Sequence, residues 1–118
     1  MGYHISSNKL MVRELNDKLR IHGDPSIGKI CLTREVHALS SEDVIKLINS
    51  IRAYDKWDPE KDDPWSEHDF GKVSINGMDV FWKIDYYDPR YEGGVEDHMK
   101  NNTSMCKRVL TVMYAHEY

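Results

Sequence analysis

The sequence predicts an α+β fold, with two helices packed on one face of a mainly antiparallel sheet of about four strands. Three observations carry this reading. Two runs with period-two apolar spacing meet at Asn76-Gly77, the dipeptide that best tolerates the two positive φ values of a type I′ turn. Two other segments, near residues 8 to 21 and after Ser40, carry apolar residues at helical spacing. The run Val109, Leu110, Val112, Met113 is apolar on both faces, as an interior strand requires, although a helix also fits so short a run.

In chain order, Ser6-Ser7 offers an N-cap, and Val12, Leu15 and Leu19 give a first helix from about Asn8 to Ile21 that Gly23 and Pro25 end. A short strand follows over residues 29 to 34. The stretch from Gly23 to Lys29 has the spacing of a phosphate-binding loop, but Ile30 stands where a metal-binding hydroxyl is needed. The context is also reversed, since the stretch follows a helix and opens a strand. Ser40-Ser41-Glu42-Asp43 caps a second helix whose Val44, Leu47, Ile48, Ile51 and Tyr54 form one apolar face. Residues 58 to 65, with two prolines and no periodicity, read as a loop, and so does the polar stretch from Pro89 to Cys106.

The hairpin turn fixes a register. With Ile75 opposite Met78, Val73 faces Val80, Phe70 faces Lys83, and His68 faces Asp85. Val73, Ile75, Met78, Val80, Trp82 and Ile84 then share the face the helices cover. The strands are expected at 29 to 34, 70 to 75, 78 to 87 and 108 to 115.

The 118 residues suit a single domain, 1–118, with no need of staples. No apolar run approaches the ~18 residues of a membrane span, and the amino terminus lacks the pattern of a signal peptide, so a cytoplasmic protein off the membrane is expected. Cys31 and Cys106 fit no metal spacing and read as two thiols. A net charge of −4 argues against direct binding to nucleic acid, and no cofactor signature is present.

Charge is unevenly placed. Residues 1 to 34 sum to +3, residues 55 to 69 to −5 and residues 85 to 98 to −4. Both acidic stretches leave the end of the hairpin away from Asn76-Gly77, so they are expected to converge. Such an end can attract a divalent cation, present an acidic patch to a basic partner, or do no more than solvate a loop.

The leading expectation is a small binding protein, inhibitor-like, that offers an acidic and aromatic surface to a basic protein partner. Asp62, Asp63, Trp65, Glu67, His68, Tyr86, Tyr87, Asp88 and Tyr91 would form that surface. The alternative is a divalent-metal-assisted hydrolase or nuclease centred on His68, Asp69, Asp85 and Asp88, with His68 held by Asp85. No nucleophile or second nearby histidine completes that site.

The motifs Ser66-Glu67-His68-Asp69-Phe70-Gly71, Phe81-Trp82-Lys83-Ile84-Asp85-Tyr86-Tyr87-Asp88, Arg108-Val109-Leu110-Thr111-Val112-Met113 and Glu117-Tyr118 resemble a bacterial, mostly proteobacterial, family of unknown function. The resemblance runs from Arg13-Glu14-Leu15-Asn16-Asp17 and Leu32-Thr33-Arg34 to the last residue. It implies a short protein carried on mobile elements, with a role in the contest with host defence, where small acidic proteins block nucleic-acid-handling complexes as anti-CRISPR proteins do. It brings no catalytic residues to transfer. The chain departs from the family pattern at Tyr91 to His98, which implies a loop adapted to a particular partner.

Overall fold

A computed structural model describes residues 7–57 and 67–118. Three helices, α1 (Ser7–His22), α2 (Arg34–His37) and α3 (Ser41–Arg52), accompany four strands, β1 (Gly28–Leu32), β2 (Phe70–Ile75), β3 (Met78–Tyr87) and β4 (Lys107–Tyr114). The sheet order is β1-β4-β3-β2, with β1 parallel to β4 and the other two pairings antiparallel. The fold is therefore α+β with a mixed, mostly antiparallel sheet. The run near 108 to 115 is a strand, and it lies inside the sheet.

The hairpin turns at Asn76 and Gly77, whose φ values of 52° and 78° are those a type I′ turn requires. The ladder follows from that turn: Ile75 pairs with Met78, Val73 with Val80 and Phe70 with Lys83. Val80, Trp82 and Ile84 then point into a core with Leu19 of α1, Val36 of α2, Leu47 and Ile51 of α3, and Leu110 and Val112 of β4. Met78 keeps the expected register but is not covered by the core. It is 46% exposed, because Val80 is the last β3 residue paired with β4 and the sheet beyond it narrows to two strands.

The α2 turn is too short for a periodic signal. Thr33 ends the expected strand early by capping α2, its hydroxyl accepting from the Val36 N–H, while the same hydroxyl donates to Glu117 at 2.9 Å. Ser40 caps α3 as its sequence implies, accepting from the Asp43 N–H at 3.1 Å. The segment from Gly23 does follow a helix and open a strand, and Lys29 lies over the ring of Tyr91 at 4.3 Å. Both cysteines are thiols, Cys106 buried and Cys31 half-buried.

Candidate functional site

Polar residues of α1 organise the interior of the molecule. Val12, Asn16, Leu19 and Arg20 lie along one helix face, and all four are buried. A buried amide and a buried guanidinium must find partners, and each builds a network here.

The first network joins α1 to the end of α3 and the entry to β2. Arg20 donates to the carbonyls of Ile51, Arg52 and Tyr54 at 2.8, 3.0 and 3.3 Å, satisfying the C-terminal end of α3, where helix carbonyls lack partners and favour a cation. It also bonds Asp17 at 3.0 Å. The Asp17 carboxylate in turn meets Nδ1 of His68 at 3.1 Å. Burial pushes the Asp17 carboxyl up, but the bonds from His68 and Arg20 outweigh it and hold the group below its ordinary value.

His68 therefore does not face Asp85. Its φ of 57° is left-handed, so the ladder ends at Asp69, whose carbonyl accepts from the Ile84 N–H at 2.8 Å, and the imidazole swings toward α1. The ring stacks on Trp57 with centroids 3.7 Å apart. Asp85 instead pairs with Lys83 at 2.9 Å.

The second network surrounds Arg108, whose side chain is fully buried. Its guanidinium donates to the side-chain oxygen of Asn16 and to the Lys100 carbonyl, and it lies 5.1 Å from the centre of the Tyr86 ring. Burial holds the guanidinium below its ordinary pKa. Asn16 passes the connection on, donating to the Tyr86 hydroxyl at 2.7 Å and to the Glu67 carbonyl at 2.9 Å. The hydroxyl of Tyr86 donates to Asp69 at 3.3 Å. Burial first, then the charges of Asp69 and Glu67, push the Tyr86 phenol well above its ordinary pKa. The Glu67 carboxylate is buried between Lys9 at 3.4 Å and Lys100 at 3.7 Å, and both lysines also reach Asp97 at 3.2 Å.

The third arrangement is a surface turn after β3. The Asp88 carboxylate accepts main-chain N–H bonds from Arg90, Glu92 and Gly93 at 2.9, 3.2 and 3.1 Å. These bonds, that from Glu92 foremost, keep its carboxyl below the ordinary value. Gly94 bridges back to Tyr87, and Tyr91 stands at the tip with a φ of 58°. Rings of Tyr87 and Tyr91 meet at 6.4 Å.

The structure thus separates the residues that the sequence groups together. His68 points to Asp17, Asp69 to Tyr86, Asp85 to Lys83 and Asp88 into its own turn, so the four do not surround a common point. Among the described residues, no three or more His, Cys, Asp and Glu side chains are placed to hold a metal ion. Glu67 is buried between the half-buried Lys9 and Lys100, and the Tyr86 hydroxyl answers the buried amide of Asn16, so both groups are engaged inside the molecule. Asp62, Asp63 and Trp65 lie outside the described residues. Tyr87, Asp88 and Tyr91 do come together, on the turn after β3.

Asn16, Asp17, Arg20, Lys9, Lys100 and Arg108 are the functional-looking residues that sequence reasoning passes over. A signal exists for three of them: Asn16 and Arg20 interrupt the apolar stripe of α1, and Arg108 has the same strand parity as Leu110 and Val112.

Fold and side-chain geometry together define a small α+β protein whose buried ionisable groups, Arg20, Glu67 and Arg108, tie its elements together. The chain belongs to the DUF3768 family, proteins of unknown function, which it matches over residues 32–117. No curated protein and no solved structure matches it.

Proposed function

We propose that the protein is a non-enzymatic binding module that presents the turn after β3 to a basic surface of a larger protein. The Asp88 turn carries this reading. One carboxylate fixes three main-chain N–H groups and holds Tyr91, which is 36% exposed, at the tip beside Glu92. A loop fixed before contact loses little freedom on binding, and tyrosine is among the side chains that anchor interfaces. Glu92 and Glu96 are exposed in the same segment and would attract a basic partner. The family resemblance points to a mobile element, and a nucleic-acid-handling defence complex would then be the basic partner that the module inhibits.

The metal-assisted hydrolase reading has no comparable support, since its four groups diverge. The test is affinity capture with wild-type protein and with Tyr91→Ala and Glu92→Lys, which leave the Asp88 carboxylate in place. Capture of a defined partner that weakens with salt and with either substitution is expected. A partner retained equally by both variants would remove the Asp88 turn from the interface.

A further inference from the structure

The outer edge of β2 is a second surface, independent of the Asp88 turn. The Ile84 N–H bonds the Asp69 carbonyl, and alternation along the antiparallel ladder makes Gly71/Trp82, Val73/Val80 and Ile75/Met78 the hydrogen-bonded pairs. The main-chain groups of Phe70, Lys72 and Ser74 consequently point away from β3. The Phe70 carbonyl accepts from the indole N–H of Trp57 at 2.8 Å. Among the described residues, nothing bonds the main-chain groups of Lys72 or Ser74.

This edge borders a groove against α3. At one end Asn76 reaches Asp43 near the start of α3 at 3.1 Å, and at the other Trp57 meets Phe70. Two clefts of about 440 and 430 Å3 lie along it and share Tyr54, Lys56 and Lys72. The first is lined also by Ala53 and Val73, and by Asp55 and Asp79. The second adds Phe70 and Phe81 and contains no acidic residue. Neither Lys56 nor Lys72 has a carboxylate partner among the described residues.

We infer that this edge takes an extended, acidic peptide segment of a partner protein as a fifth strand. An edge strand beside a helix accepts a peptide through main-chain hydrogen bonds, while alternate side chains enter the clefts on either side. Lysine on an edge discourages pairing with an uncharged strand, but an acidic strand turns the same charge into attraction. The peptide would place carboxylates toward Lys56 and Lys72 and small apolar side chains over Val73 and Ala53.

The test uses a capped octapeptide of alternating Val and Glu, titrated into the protein at low salt and followed by amide NMR and hydrogen exchange. In the free protein the Lys72 and Ser74 amides should exchange rapidly, and saturating peptide should protect both. Lys72→Glu and Lys56→Glu should each weaken binding about tenfold or more, the range of a charge-assisted contact. Ser74→Pro removes an outward N–H without touching the β2–β3 ladder, so it should abolish binding with the thermal midpoint kept. Absence of binding, equal binding by Ser74→Pro, or equal binding of a Val and Lys peptide would overturn the proposal. Binding of oligothymidylate at the same amides would do so too, as would a dimer in which both amides are protected without peptide.

Discussion

The imidazole of His68 lies 3.7 Å from the indole of Trp57 and within 4° of parallel to it, while its Nδ1 meets Asp17. Two chain segments that flank residues 58 to 66 are thereby pinned to each other and to α1. Arg20 closes the circuit, since it bonds Asp17 and caps α3 just before Trp57. Each of the four side chains has its position set by at least one of the others.

Asp17→Asn should therefore cost about 1.5–3 kcal/mol, the range for hydrogen bonds to charged groups. The pH dependence has a definite sign. Because the folded carboxyl lies below its ordinary value of 3.8, its contribution is present above that value and is lost as pH falls through the lower folded one. Urea midpoints measured down the acid limb should fall less steeply in Asp17→Asn than in wild type. Parallel acid limbs would show that the contact does not couple to folding.

Arg108→Met should cost about 3 kcal/mol, since it leaves the buried Asn16 oxygen and the part-buried Lys100 carbonyl without their donor. Arg108→Lys should not rescue it, because one ammonium cannot span two acceptors that a planar guanidinium bridges. Combining Arg108→Met with Asn16→Leu should cost less than the sum of the two, as measured by chemical denaturation of the four proteins in the cycle.

A methyl group distinguishes three glycines. A Cβ on Gly28 would lie 2.0 Å from the Arg108 carbonyl oxygen, and one on Gly71 would lie 2.5 Å from the Trp82 indole nitrogen, whereas at Gly93 the nearest atom is 3.6 Å away. Gly28→Ala and Gly71→Ala should each lose about 1–3 kcal/mol or more through overpacking, with Gly93→Ala close to wild type. Thermal unfolding of the three variants tests the order. In Gly71→Ala a shift in tryptophan emission should accompany the loss, because fully buried Trp82 has to move.

Asp88→Ala should loosen the turn after β3 without unfolding the protein. The amides of Arg90, Glu92 and Gly93 lose their common acceptor, so their hydrogen exchange should accelerate while that of β3 and β4 does not. In wild type the same amide resonances should titrate together at acid pH, below the ordinary carboxylate value.

The hairpin was legible because Asn76-Gly77 specifies both the turn and the register, and every pair from it as far as Phe70 has the expected partner, although Met78 lies uncovered. His68 was not, because alternation presumes extended backbone and a single left-handed residue redirects the chain. The parity of Tyr86 with Trp82 and Ile84 sends it inward, so aromatic type alone does not mark it as a surface anchor. The partner of β1 leaves no local trace, since parallel pairing between two short apolar strands is set by the helices that cover them. Likewise, the charge sum over residues 85 to 98 does not show that Asp85 and Asp97 are matched by lysines from elsewhere.

The placement of β4 also bears on the order of events in folding. Gly28 pairs with Arg108, eighty positions later in the chain, and β4 separates β1 from β3. A growing chain can form α1, α3 and the β2–β3 hairpin from nearby contacts, but β1 has no neighbour in the sheet until β4 is synthesised. Until then the facing edges of β1 and β3 lack the strand between them, and the Arg108 network that ties α1 to the sheet is absent. Closure of such distant contacts is slow, and unpaired strand edges are prone to wrong association. The last strand made is thus the one that completes the molecule.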